Sequence, residues 1–228
     1  MTRWPEPGRI TRHRYAILFC MLLATIAVGP LLEALDFGRL AMEALLTFSL
    51  LAAVLPMGVT AKRRSMFAIV AGALLMRAIA SQLESAILSV AGALLWGTVA
   101  VVAVAGAIRY AMSSARVDAE HLYAALSAYL LIGVGWGVVY VAVVRLDPLA
   151  LMHGGAPLPA GLGMGDAIYF SFVTLATLGY GDYTPATPVM RGLSVFEAII
   201  GQLYLAIMVA RLVSLRAAAH DRDPDVLP

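Results

Sequence analysis

The segment TLATLGYGDYTP, residues 174–185, stands out because polar residues and glycines interrupt a chain made mostly of long apolar runs. Two glycines flank a tyrosine, an aspartate follows the second glycine, and threonines precede the first. Irregular backbone is tolerated at membrane depth only where it is buried in protein or lines a water-filled path. The segment therefore predicts a functional role for its own main-chain carbonyl groups.

The composition is that of an integral membrane protein. Of the 228 residues, 61% are hydrophobic and 13% are charged, which is about half the charged fraction of an average soluble domain. The mean hydropathy is +0.87. The single cysteine, Cys20, cannot form a disulfide within the chain and implies no metal cluster. No catalytic triad, phosphate-binding loop or convergent acid and histidine set is recognisable, so we expect neither catalytic residues nor a cofactor.

Six apolar runs are long enough to cross a bilayer as helices, which takes ~20 residues. They cover residues 14–35, 39–60, 65–83, 86–110, 119–146 and 189–214. The pattern predicts an all-α integral membrane fold with six transmembrane helices.

Basic residues are distributed unevenly between the two sides of these runs. Twelve fall in the tails and in the loops after the second and fourth runs, and three fall on the other side. The positive-inside rule then places both termini in the cytoplasm, so that residues 174–185 enter the membrane from outside. The basic residues fit contacts with inner-leaflet lipids, and we expect no nucleic-acid partner.

The segment between the fifth and sixth runs divides into a loop, a half-helix and the glycine motif. Residues 147–165 are rich in Gly and Pro and predict an irregular outer loop. Asp166 is the predicted N-cap of a half-helix that ends near Ala176, too short to span. Gly179 and Gly181 allow alternating backbone conformations that point successive carbonyl oxygens to one side. Such a row of carbonyls replaces the hydration shell of a monovalent cation.

The sequence FSFVTLATLGYGDYTP, residues 170–185, resembles the pore helix and selectivity filter of potassium channels. The resemblance extends over residues 119–216, as outer helix, pore loop and inner helix, and is to prokaryotic-type six-transmembrane channels with one pore loop. It implies a filter formed by Thr177, Leu178, Gly179, Tyr180 and Gly181. Potassium ions are then expected at the carbonyls of Thr177, Leu178, Gly179 and Tyr180. Because the filter of one chain supplies ligands from one side of a cation only, three further copies must complete a homotetramer.

Four further residues are implied as supports of this filter. Asp182 is expected to form a hydrogen bond with Tyr169 of the pore helix. Glu197 is expected to pair with a pore-helix hydroxyl, either Thr174 or Ser171, and a titrating carboxyl that modulates gating is the alternative.

The last run carries the expected gate. Gly201 lies nineteen residues after Asp182, at the position of the inner-helix glycine of the family. A gating hinge and close helix packing explain it equally well. Ala206 and Ala210 share one helical face, and either line the inner pore or form a helix–helix seam.

Residues 14–112 resemble the four-helix sensor domain of voltage-gated channels, but without its gating charges. The run 86–110 carries no arginine before Arg109, so we expect no steep voltage gating. Arg77 and Glu43 lie within spans, and we expect them to form a salt bridge that fixes helix packing; a weak sensor is the alternative.

The predicted organisation is a cytoplasmic tail (1–13), a sensor-like domain (14–112), a linker (113–118), a pore domain (119–216) and a short cytoplasmic tail (217–228). The predicted function is passive, potassium-selective conduction in a cell membrane, specifically a bacterial inner membrane. A non-conducting or modulatory subunit of a potassium channel assembly is the alternative, and the gating stimulus is open.

Overall fold

The structure, a computed structural model, describes residues 13–33, 38–54, 68–72, 75, 79, 86–113, 118–158 and 161–220. The helices in these ranges are α1 (Arg14–Glu33), α2 (Gly38–Val54), α3 (Ala86–Met112), α4 (Ala119–Leu146), α5 (Met164–Leu175) and α6 (Pro188–His220). Short strands are β1 (Leu151–His153), β2 (Ala156–Pro157) and β3 (Tyr183–Pro185).

Three helices of this described part are long and apolar enough to cross a membrane. They are Val90–Met112 of α3, Ala119–Leu146, and Pro188–Arg211 of α6. The fourth, fifth and sixth predicted spans are therefore confirmed as apolar helices of spanning length. Helices α1 and α2 fall on the first two predicted spans, with shorter apolar stretches at Arg14–Val28 and Ala44–Ala53.

The third predicted span, residues 65–83, lies mostly outside the described residues. Arg77 and the side chain of Glu43 also lie outside them. The predicted salt bridge between these two residues stays a prediction.

Helix α4 is the centre of the packing, with α1, α3, α5 and α6 all in contact with it. Its small residues allow the short helix α5 to approach closely. A Cβ atom at Gly137 would lie 3.2 Å from the backbone nitrogen of Ile168, and one at Gly133 would lie 2.5 Å from the ring of Phe172. The absence of side chains at these two positions therefore sets how deeply α5 sits against α4.

One face of α6 packs on its own chain, and most of the other described side chains of this helix are exposed. The packed face repeats every three or four residues, as one stripe of a helix does. It comprises Met190, Ser194, Glu197, Gly201, Tyr204 and Met208. The Tyr204 hydroxyl donates to the Ala125 carbonyl of α4 at 2.5 Å, which ties the middle of α6 to the outer helix.

A three-stranded antiparallel sheet, in the order β2-β1-β3, joins the loop before α5 to the segment after residue 182. His153 is paired with Ala156 across the turn and with Tyr183 on the other side. Gly154 and Gly155 form the turn with φ of 56° and 83°, the left-handed geometry of a two-residue hairpin. The prediction of an irregular loop is wrong for residues 151–157, because β1 pairs with a strand about thirty residues away that no local pattern shows.

Two predicted helix ends also differ from the structure. Helix α5 begins at Met164 with Gly163 at its N-cap, so the predicted N-cap role of Asp166 is wrong. Asp166 instead lies in the first turn, where its charge faces the positive end of the helix dipole. Helix α6 continues to His220, beyond the predicted end of the last run at residue 214 and of the pore domain at residue 216, because an alanine run there favours helix.

The contact between α4 and α5 generates a prediction with a matched control on the same helix. Gly137→Ala places a Cβ against the Ile168 backbone, which cannot move aside cheaply, and overpacking of this kind costs about 1–3 kcal/mol. Gly135→Ala meets the Ala100 methyl at 3.8 Å and the Trp96 ring at 4.0 Å, which are ordinary contact distances, and gains up to about 1 kcal/mol of helix propensity. Thermal unfolding of the purified protein in detergent should show a lower Tm for Gly137→Ala alone. Equal Tm values for the two variants would contradict the packing account.

Candidate functional site

The C-terminal end of α5 leads directly into residues 177–182, the glycine motif. Main-chain hydrogen bonds hold the start of this motif to the helix. The Thr177 N–H donates to the Thr174 carbonyl at 2.9 Å, and the Leu178 N–H donates to the Val173 carbonyl at 2.8 Å. These two bonds form the Schellman pattern that ends many helices. The Gly179 N–H donates to the same Val173 carbonyl at 3.3 Å, so α5 holds the first three residues of the motif.

The backbone of the motif alternates in handedness. Thr177, Gly179 and Gly181 have φ of 58°, 59° and 81°, and the intervening Leu178 and Tyr180 do not have positive φ. Alternation of this kind is the conformation expected to turn successive carbonyl oxygens toward one side. The backbone alternation is compatible with the carbonyl row expected from the sequence, and the row itself stays a prediction.

Thr177 is the one non-glycine residue with positive φ in the part of the chain that the structure describes. It occupies the position after the helix C-cap, where glycine is the usual residue. A residue with a Cβ pays about 1–2 kcal/mol in this conformation. Strain of this kind favours a functional role for the Thr177 side chain, since glycine would be more stable at this position.

Asp182 is anchored at the far end of the motif. The Tyr169 hydroxyl donates to its Oδ2 at 2.8 Å, which is the hydrogen bond predicted from the sequence. This bond is the main reason that the pKa of Asp182 lies below its usual range. The Gly154 N–H donates to the Asp182 carbonyl at 2.9 Å, so the hairpin holds the same residue from the other side.

Glu197 of α6 is completely buried behind α5, the predicted pore helix. Its carboxyl group contacts the Ser171 hydroxyl of α5 at 2.5 Å and the hydroxyl of Tyr140 on α4. Of the two predicted partners, Ser171 forms the hydrogen bond with Glu197. The described bonds of Thr174 are made by its main-chain carbonyl, which accepts the N–H groups of Ala176 and Thr177.

Tyr140 was missed by sequence reasoning. It lies 57 residues before Glu197, so no local spacing connects the two. The available signal was a tyrosine in the middle of an apolar span, since a buried phenol needs a hydrogen-bond partner.

Gly201 packs directly against the end of the pore helix. A Cβ atom there would collide with the Leu175 carbonyl oxygen and lie 3.0 Å from the Leu175 Cδ1 atom. Close packing therefore has a geometric basis, while the hinge role stays a prediction. Ala206 and Ala210 are exposed on the part of α6 that does not face its own chain.

The packing role of Gly201 leads to a second prediction. Gly201→Ala should push α6 away from α5 and reduce the yield and Tm of the assembled protein, because the atom in the way belongs to backbone. Gly192→Ala is the control, since its Cβ meets nothing within 4 Å in the same helix. Size-exclusion chromatography and thermal unfolding measure both variants. Normal assembly of Gly201→Ala with altered channel opening would favour the hinge instead.

Comparisons with known proteins point to the same segment. The family model described as "Ion channel" matches residues 129–216. The chain is 47% identical over 49 residues to "Two pore potassium channel c" of Oryza sativa subsp. japonica, covering 22% of this chain and 11% of that protein. It is 38% identical over 47 residues to "Potassium channel K1" of Plasmodium berghei, covering 21% and 2% of the two chains.

A bacterial relative matches over a longer stretch. "Protein LctB" of Bacillus caldotenax is 28% identical over 104 residues, which are 43% of this chain and 74% of that protein. No solved structure gives a significant match. The plant and Plasmodium matches span only a small fraction of those relatives. Over residues 129–216 the chain is therefore similar to ion channels, and about fifty of its residues are similar to parts of named potassium channels.

Proposed function

We propose that the chain assembles with three further copies of itself into a potassium-selective channel that conducts passively across a cell membrane. The observation that carries the proposal is the alternating backbone at Thr177, Gly179 and Gly181. A row of carbonyl oxygens without side-chain charge is suited to a weakly bound, dehydrated monovalent cation. The similarity of part of the chain to named potassium channels of rice and Plasmodium supports potassium as the ion.

The proposed ion sites follow from the backbone geometry. The carbonyls from Thr177 to Tyr180 supply the ligands, with the Thr177 hydroxyl as the innermost one. Gly181 completes the turn of the chain at the outer end, and Asp182 and Tyr169 hold that end in place. The side chain of Leu178 is not needed as a ligand, since main-chain oxygens do the binding.

The exposure of the filter in a single chain supports assembly. Residues 176–181 are exposed, with Tyr180 at 67% and Leu178 at 56%. Peptide groups left bare at membrane depth would cost several kcal/mol each in contact with lipid. Copies of the same chain around a central axis cover this backbone and complete the coordination shell. In such an assembly, Ala206 and Ala210 are the proposed lining of the inner pore.

The gate of the proposed channel is not a steep voltage sensor. Helix α3 has a single basic residue in its last turn, Arg109, and its span is otherwise uncharged. Each charge moved across the membrane is worth ~2.3 kcal/mol per 100 mV, so a helix without charges in its centre gains little from the potential. We further propose a bacterial inner membrane location with cytoplasmic termini.

Flux into liposomes that contain only this purified protein tests the proposal. Potassium influx should exceed sodium influx at least ~10-fold, as expected for a filter built from carbonyl oxygens, and external barium should block it. Equal sodium and potassium flux would contradict selectivity. Absence of flux from intact tetramers, with and without an Ala210 substitution intended to open the pore, would favour the non-conducting subunit.

A pair of glycine variants separates a role in the filter from general strain. Gly179→Ala forces a side chain into φ of 59° and should abolish selective flux. Gly154→Ala imposes the same strain at φ of 56°, also without a steric neighbour, but lies in the hairpin. It should retain selective flux. Equal loss in the two variants would mean that strain alone, and not the filter, explains the effect.

A further inference from the structure

Helices α4, α5 and α6 meet in one buried chain of hydrogen-bonded polar groups. The Ser171 Oγ atom of α5 lies 2.7 Å from the Gly133 carbonyl oxygen of α4 and 2.5 Å from Oε1 of Glu197. The Tyr140 hydroxyl of α4 contacts the other carboxyl oxygen, Oε2. Ser171, Tyr140 and Glu197 have 0% of their surface exposed, so water does not complete these contacts.

Counting hydrogens in this chain shows what the carboxyl group must supply. A serine hydroxyl carries one hydrogen, and a carbonyl oxygen or an ionised carboxylate can only accept. An ionised Glu197 would leave one of the two short contacts of Ser171 without a hydrogen between its oxygens. When Glu197 is protonated, each contact contains one hydrogen. Tyr140 donates to Glu197, Glu197 donates to Ser171, and Ser171 donates to the Gly133 carbonyl.

The surroundings of Glu197 are consistent with a neutral group. The described groups against it are hydroxyls, those of Ser171 and Tyr140, with the Tyr129 phenol also facing it from α4. None of these groups is a cation, and a buried carboxylate without a cationic partner is costly.

We propose that Glu197 is a positioning residue of the filter and that it acts as a neutral carboxylic acid, with its proton shared toward Ser171. The proposal rests on the proposed channel function. Ser171 lies two residues before Val173, whose carbonyl holds the N–H groups of Leu178 and Gly179. A displacement of α6 at Glu197 therefore reaches the filter through a single turn of the pore helix.

The same helix pair is in contact one turn further on. Gly201 packs on Leu175, four residues after Glu197 on α6 and four after Ser171 on α5. The polar contact and the close contact together fix both the distance and the register between the inner helix and the pore helix. Glu197 supplies the directional part of this contact, since hydrogen bonds depend on angle.

Three substitutions of Glu197 test the proposal. Glu197→Gln can donate from its amide nitrogen to Ser171 and accept from Tyr140, so it should keep potassium flux and selectivity near those of the unsubstituted protein. Glu197→Leu removes both contacts, and Glu197→Asp keeps the acid but withdraws it by one methylene. Both should lose about tenfold or more of selective flux. Loss in Glu197→Gln as large as in Glu197→Leu would overturn the proposal, because charge and not hydrogen pattern would then be required.

A spectroscopic readout tests the proton without relying on conduction. The infrared difference between the unsubstituted tetramer and Glu197→Gln at neutral pH should contain the carbonyl stretch of a protonated carboxylic acid. A carboxylate band in its place would overturn the proposal. If the unsubstituted protein conducts no potassium but shows the protonated band, the channel function fails and the neutral acid stands. If it conducts but lacks the band, only the neutral acid fails.

Discussion

The site depends on the two main-chain hydrogen bonds that the carbonyl group of Val173 accepts. This carbonyl accepts the N–H groups of both Leu178 and Gly179, and so fixes an irregular segment to the end of a helix. Other contacts near the site hold the residue at the far end of the motif or that helix end. Glycines of α4 let it sit deep, Gly201 lets α6 close over it, and the outer hairpin holds Asp182 beyond it.

A threonine in a left-handed conformation shows how this anchoring is used. Glycine would end the helix at position 177 without strain, as it commonly does after a C-cap. The strain of about 1–2 kcal/mol that Thr177 imposes is held by two hydrogen bonds on its helix side and by a rigid outer end. What the threonine adds is a hydroxyl at the start of a carbonyl row, which is the proposed inner ligand of the ion path.

The accuracy of the sequence predictions depends on how far apart in the chain the interacting residues lie. The alternating backbone of residues 177–181 and the spans of α3, α4 and α6 depend on local composition and spacing, and the spans were predicted with small errors at their ends. The hairpin at Leu151–His153, the partnership of Tyr140 with Glu197 and the Ser171 contact with Gly133 join residues tens of positions apart. Periodicity carries no information on such pairs. The start of α5 was misplaced because an acid at the third helical position resembles an N-cap in sequence.

The central claim is that the backbone held by Val173 binds potassium in preference to sodium, and equilibrium ion binding tests it most directly. Calorimetry on the detergent-purified protein, exchanged into a large organic cation, measures this without a gate or a membrane potential. The account predicts saturable heat with potassium, at least ~10-fold weaker binding of sodium, and loss of the potassium signal in Gly179→Ala but not in Gly154→Ala. Equal binding of the two cations, or a potassium signal that survives in Gly179→Ala, would contradict it.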